Sequence, residues 1–210
     1  GADGSITGIT VSDWLKNSGS VSGALKDSSS LTDISNVKGN ETFSQNGTDM
    51  SWNTSGQDIY YQGKTDKKLP VSMKITYKLD GKEIAAKDLP GKSGKVEIHV
   101  QYTNNSKQTK TIQGKKETIY TPFVMVTAMI LSNDNFSNVE IDNGRVINEG
   151  SNNIVVGIGM PGLADSLDLD KDFSDKITSD FTIKADAKDF TMENTYTYGS
   201  CLLYTSPSPR

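Results

Sequence analysis

The chain has 210 residues, with 22 Lys and Arg against 26 Asp and Glu, one His, one Cys and a formal net charge of −4. Arginine occurs only at Arg145 and Arg210, so the basic, arginine-forked surface that phosphate recognition uses is missing and nucleic-acid binding is not expected. A single histidine excludes multi-histidine zinc sites, and with the one cysteine at Cys201 the preceding sequence offers no disulfide framework, thiolate metal site or cysteine nucleophile.

At the usual ~100 to 200 residues per domain, the length suits one or two modest domains. Residues 1–40 read as an N-terminal strand, a short helix and a loop. Ser12 is placed to cap a turn containing Trp14 and Leu15, and Asn17 to Ser30, rich in Ser and Gly and poor in apolar residues, reads as a surface loop. Residues 41–200 read as a β-sandwich region, as one body or two subdomains. After Glu41 the dominant pattern is period-two alternation with β-branched and aromatic residues.

Val71, Met73, Ile75 and Tyr77 alternate with Ser72, Lys74 and Thr76, which is a strand with one buried face. Asp80-Gly81 tolerates positive φ and predicts a hairpin from Leu69–Leu79 back through Lys82 to Ala86. In Lys95 to Tyr102, Val96, Ile98, Val100 and Tyr102 share one face, and Glu97, His99 and Gln101 the other. Lys107 to Lys116 reads as a solvated hairpin. Asn46-Gly47, Asn104-Asn105, Gln113-Gly114, Asn143-Gly144 and Gly150-Ser151 supply further turns. Leu163 to Leu167 predicts a second short helix, and Lys176 to Ala187 and Phe190 to Tyr198 predict the last strands. Many short strands between turn signals predict a mainly β fold, an antiparallel β-sandwich for which an Ig-like topology is one arrangement. The longest apolar run, Phe123 to Leu131, is far shorter than the ~20 residues a membrane-spanning helix needs.

Four patterns look chemical. Gly157, Gly159 and Gly162 satisfy G-x-G-x-x-G spacing, but only Leu163 to Leu167 could supply the helix a phosphate cradle requires, so the glycines read as structural. Asp168, Asp170, Asp172 and Asp175 alternate as calcium-loop ligands do, with Phe173 in place of the turn glycine and Ser179 in place of the bidentate glutamate; the pattern fits a weak calcium site of the millimolar, extracellular type. Apart from that candidate no cofactor is expected. His99, on the polar face of its strand and without a G-x-S-x-G elbow anywhere, reads as a cross-strand side chain rather than a catalytic base. Trp14, Trp52, Tyr60 and Tyr61 are the aromatic candidates for stacking on a sugar ring or anchoring a protein; Trp52, beside the Asn53–Gly56 turn, and Tyr61 are the two selected as ligand-binding residues. No catalytic residue is assigned.

YKLDGKEI (Tyr77 to Ile84), GKSGKVEIHVQYTNN (Gly91 to Asn105), ILSNDNFSNVEIDNGRVI (Ile130 to Ile147) and VVGIGMPGL (Val155 to Leu163) resemble, in that order, exported proteins of Clostridia-type bacteria related to the phage-infection-protein-like surface family. That resemblance implies a β-rich ectodomain followed by Leu-x-x-Gly repeats and a membrane anchor, with no established catalytic residues. The last ten residues, Cys201 to Arg210 (CLLYTSPSPR), resemble a translated sequencing adapter, so they read as a non-native tail on a chain cut at both ends. The expectation is a non-enzymatic structural or adhesive domain of an extracellular, membrane-anchored bacterial surface protein, meeting a protein or glycan at the cell surface. The alternative is a carbohydrate-binding module or an accessory part of a glycan-active enzyme.

Overall fold

The computed structural model describes residues 1–112, 114–167 and 177–202. Among them are the strands β1 (Thr10–Leu15), β2 (Ser22–Ser28), β3 (Thr32–Asn36), β4 (Thr42–Asn46), β5 (Asp49–Ser55), β6 (Ile59–Lys64), β7 (Val71–Leu79), β8 (Lys82–Ile84) and β9 (Gly94–Asn104). They continue with β10 (Gln108–Ile112), β11 (Lys115–Ile119), β12 (Phe123–Ser132), β13 (Phe136–Ile141), β14 (Gly144–Glu149), β15 (Asn152–Gly159), the helix α1 (Leu163–Leu167), β16 (Asp180–Ala187) and β17 (Tyr196–Cys201). The fold is therefore mainly β, and every strand pairing described is antiparallel. No helix among the described residues is long and apolar enough to cross a membrane. The described residues divide into two compact units, Ile6–Lys68 and residues 69–202 together with Gly1–Ser5.

The larger unit is a sandwich of a five-stranded sheet, β13-β16-β9-β7-β8, and a four-stranded sheet, β14-β15-β12-β17, with the β10-β11 hairpin apart from both. The alternation that predicted β7 and β9 sets the first sheet: Val96, Ile98, Val100 and Tyr102 are buried, and β9 is paired along both edges, to β7 and to β16. Asp80 and Gly81 carry φ of 50° and 79°, as a two-residue hairpin loop demands, and Leu79 pairs with Lys82. Inward residues of the second sheet, Met125, Met129, Leu131 and Val155, close the same core.

Two glycines of the G-x-G-x-x-G string decide how closely the sheets approach. A Cβ on Gly157 would lie 2.4 Å from the Phe181 ring, and one on Gly159 would lie 2.5 Å from the Tyr102 ring. Both are therefore packing glycines, and the string is no phosphate cradle. The Tyr102 hydroxyl reaches across to Thr127 Oγ1 at 2.6 Å, and Thr127 Oγ1 is a further 2.6 Å from Thr197 Oγ1. This satisfies the polar atoms of a fully buried threonine on β12.

The smaller unit pairs two three-stranded sheets, β1-β6-β3 and β2-β5-β4, around Met50, Trp52, Ile59 and Tyr61. Trp52 stands 5.3 Å from Tyr61 and 4.7 Å from Phe43, centroid to centroid. Gly63 is required where β6 passes β3, because a Cβ there would fall 2.6 Å from the Leu31 Cβ.

The structure corrects the N-terminal reading. Thr10–Leu15 is a strand, not a helix: it lies antiparallel to β6, with Trp14 opposite Tyr60 and Leu15 opposite Ile59, and this long-range register outweighs a local capping signal. Asn17 to Ser30 is not one loop, since Ser22–Ser28 pairs with β5 and sets Leu25 opposite Trp52; the partner strand supplies the apolar bulk that the segment lacks. The unit Ile6–Lys68 joins residues on both sides of the boundary expected between Asn40 and Glu41. At the other end, β16 starts at Asp180, and Phe190 lies outside any strand. Phe190 packs edge-on against Tyr77 and Phe136 while its backbone bonds to Gly91 and Lys92. The final strand runs from Tyr196 to Cys201 against β12.

Overpacking at Gly157 generates the first prediction. Gly157→Ala must displace a ring held between two sheets and lowers unfolding free energy by about 1–3 kcal/mol, read by urea denaturation. The second concerns pH. Burial pushes the phenols of Tyr77 and Tyr102 up to about 12. Each ring therefore keeps its proton longer in the folded chain, so the stability this confers is full below the unfolded value of about 10 and is lost as pH rises through about 12. Thermal melts are expected to be insensitive to these two groups from pH 7 to 9 and to fall steeply between about pH 10 and 12.

Candidate functional site

Tyr60 and Tyr61 are consecutive on β6 and take opposite faces, which separates the four aromatic candidates into two pairs. Trp52 and Tyr61 face inward and are 0 % exposed. This corrects their selection as ligand-binding residues: both rings are core, and neither offers a face to a ligand. Among the described residues the Trp52 indole N–H has no hydrogen-bond partner. Tyr61 Oη lies 2.7 Å from Asp27 Oδ2 and 3.0 Å from Asp13 Oδ2. Burial first, and the hydrogen bond to Asp27 second, push its phenol well above the ordinary tyrosine range, so it serves as a neutral donor in the core.

Trp14 and Tyr60 face outward. Their rings are stacked, with centroids 5.8 Å apart and planes within 7°. The Trp14 indole N–H donates to Asp58 Oδ2 at 2.9 Å, and the Asn17 backbone N–H donates to Asp58 Oδ1 at 2.7 Å. Those bonds, the Asn17 one foremost, hold the Asp58 carboxyl below the usual carboxylate range. Asn17 is itself buried and clamps Val21 in both directions, its Nδ2 donating to the Val21 carbonyl and its Oδ1 accepting from the Val21 N–H, each at 2.9 Å. The Lys38 ammonium lies 4.7 Å from the centre of the Tyr60 ring.

In the larger unit the unusual surface is the outer face of the four-stranded sheet. Inward residues of β12 are buried, yet the outward set Val124, Val126, Ala128 and Ile130 is apolar as well, and so are Ile154, Val156 and Ile158 of β15. The register lines them into rows: Tyr198–Val126–Ile158, then Tyr196–Ala128–Val156, then Ile130–Ile154–Ile147. The central residues are half-buried, whereas Tyr196 and Tyr198 at one edge are each 66 % exposed and Ile147 at the other is 45 % exposed.

The remaining candidates carry less. His99 Nδ1 is 3.2 Å from Thr182 Oγ1, its cross-strand neighbour, and Nε2 is 3.6 Å from Asp180 Oδ2, so it is a half-exposed strand side chain as its alternation indicates. A shallow depression of about 360 Å³ is lined by Asn133, Asn138, Asn148 and Asn153 among others. Three of those amides are engaged internally, with Gly150, Asp186 and Asn133 as acceptors. The calcium candidates Asp168, Asp170, Asp172 and Asp175 lie outside the described residues. No family model matches the chain, and no curated protein matches it.

Burial of Trp52 generates a prediction. Trp52→Ala removes the ring between Phe43 and Tyr61 and costs about 3–5 kcal/mol. Hydrogen exchange is expected to rise throughout β5 and β6, whereas a surface ligand residue would alter exchange only locally.

Proposed function

We propose that the chain is a non-enzymatic structural or adhesive domain of an extracellular bacterial surface protein. The observation that carries this reading is the apolar outer face of β14-β15-β12-β17. An antiparallel sheet with one wet face normally alternates apolar and polar residues, whereas strands covered on both faces are apolar throughout. β12 and β15 follow the second pattern. Contiguous apolar patches beyond a few hundred Å² are uncommon on monomeric soluble proteins and mark places where another protein packs.

The partner that fits is the flat, largely apolar surface of another protein at the cell surface. The second row ends at Arg145, which pairs with Val156 from β14, and the positions between it and the tyrosine edge are apolar, so contact there rests on burial and aromatic packing with one cation at the far edge. Tyr196 and Tyr198 are suited to the rim, since each brings a large apolar ring and a hydroxyl that tolerates water. The resemblance to phage-infection-protein-like surface proteins supports an extracellular site, with attachment through an anchor beyond this ectodomain. It also supports a role in holding or contacting rather than in chemistry.

The test is binding of the fluorescently labelled chain to intact cells of its source bacterium, read by flow cytometry. Wild type is expected to bind saturably. The double variant Val126→Lys, Ile154→Lys, both at half-buried outward positions, is expected to keep its circular dichroism spectrum and lose at least tenfold in apparent affinity. Equal binding by the variant would remove the sheet face from the function.

A further inference from the structure

We infer that the outward face of β1-β6-β3 is a saccharide-binding platform, in which Trp14 stacks on the C–H face of a pyranose ring beside Tyr60, Asp58 and Gln62. This goes beyond the sheet-face reading and belongs to the other unit, so each stands or falls separately.

A stacked cross-strand aromatic pair can exist simply to stabilise a sheet, contributing about 0.2–1 kcal/mol. Two features exceed what that role requires. The first is preorganisation. β1 is the edge strand of its sheet, so Trp14 is the outermost ring, 39 % exposed, yet its indole is fixed by Asp58, which Asn17 fixes in turn from a buried position. A freely mobile indole would lose rotamer entropy on binding; this one has already lost it on folding.

The second feature is what surrounds the rings. Ser12 and Gln62 oppose one another one pleat repeat away, about 7 Å along the strands on the same face. Lys38 lies over Tyr60, while Asp58 Oδ2 borders Trp14. The patch thus offers a flat apolar surface rimmed by hydroxyl, amide, ammonium and carboxylate groups, with charges of both signs. A neutral sugar matches this arrangement: its axial C–H groups lie against the indole, and its equatorial hydroxyls both donate to Asp58 and accept from Gln62 or Lys38. An apolar protein anchor would cover the Gln62 amide and the Lys38 ammonium without offering either a hydrogen-bond partner, at a cost comparable to a lost hydrogen bond for each. A polyanion would meet Asp58 directly.

The experiment titrates the full chain with β-1,4-linked hexamers of glucose and of N-acetylglucosamine, followed by tryptophan fluorescence and calorimetry. Trp52 is fully buried and Trp14 exposed, so a ligand-dependent emission change that persists in Trp52→Phe and vanishes in Trp14→Phe is assigned to Trp14. At least one hexamer is expected to bind saturably. Trp14→Ala and Tyr60→Ala are each expected to weaken it at least tenfold, and Gln62→Ala, which leaves the aromatic pair intact, several-fold. The Val126→Lys, Ile154→Lys variant is expected to bind sugar as wild type does. Absence of saturable binding to either hexamer would overturn the inference, as would folded Trp14→Ala and Gln62→Ala variants with unchanged affinity. Trp14-dependent binding of a protein partner without any sugar binding would overturn it as well.

Discussion

The sandwich depends on two aromatic rings seated where β15 has no side chain. Tyr102 on β9 and Phe181 on β16 lie side by side in one sheet, centroids 6.3 Å apart, over Gly159 and Gly157 of the other. Interiors packed to the density of organic crystals leave no room for a methyl group at such a contact. With the rings seated, the Tyr102 hydroxyl reaches Thr127, which forces β12 to keep a polar residue in an otherwise apolar layer and ties it to Thr197 on β17. The alternation of β9, the glycines of β15 and the threonine that interrupts the apolar run of β12 therefore answer to one packing constraint.

That constraint governs inner faces only, which makes the outer face of β12 and β15 informative. Nothing in the core requires Val126, Ile130, Ile154 or Val156 to be apolar, since each points away from it. β9 shows the alternative in the same unit, with Glu97, His99 and Gln101 on its outward side. The difference between two central strands of one sandwich, one polar outside and one apolar outside, connects packing to the proposed role. In the smaller unit the same logic separates Tyr61, bonded to Asp13 and Asp27 in the core, from its neighbour Tyr60, stacked with Trp14 on the surface.

Local pattern made much of this legible in the sequence. The hairpin at Asp80-Gly81, both faces of β9, the structural nature of Gly157 and Gly159, the short helix at Leu163–Leu167 and the mainly β class follow from alternation and turn chemistry. The errors came where the deciding partner is distant. Thr10–Leu15 becomes a strand through β6, and the Ser- and Gly-rich β2 through Trp52 on β5, and neither has a local signal strong enough to announce it. Adjacent tyrosines show that one of them must face inward but not which, and the structure turns Tyr61 inward and Tyr60, half-buried, outward. The run from Phe123 to Leu131 held the clue to a strand apolar on both faces, because residues of both parities are hydrophobic, yet measured against a membrane helix it says only that it is too short.

The claim at the centre of this account is that the outer sheet face is a contact surface. Methyl NMR of the chain with isotopically labelled Ile and Val side chains, recorded with and without the solubilised cell envelope of its source, addresses that claim residue by residue. The account predicts broadening or shifts at Val126, Ile130, Ile154, Val156 and Ile158, with Val96, Ile98 and Val155 on inner faces unchanged. Outward methyls that stay sharp at saturating envelope, or changes spread evenly over both faces, would contradict it.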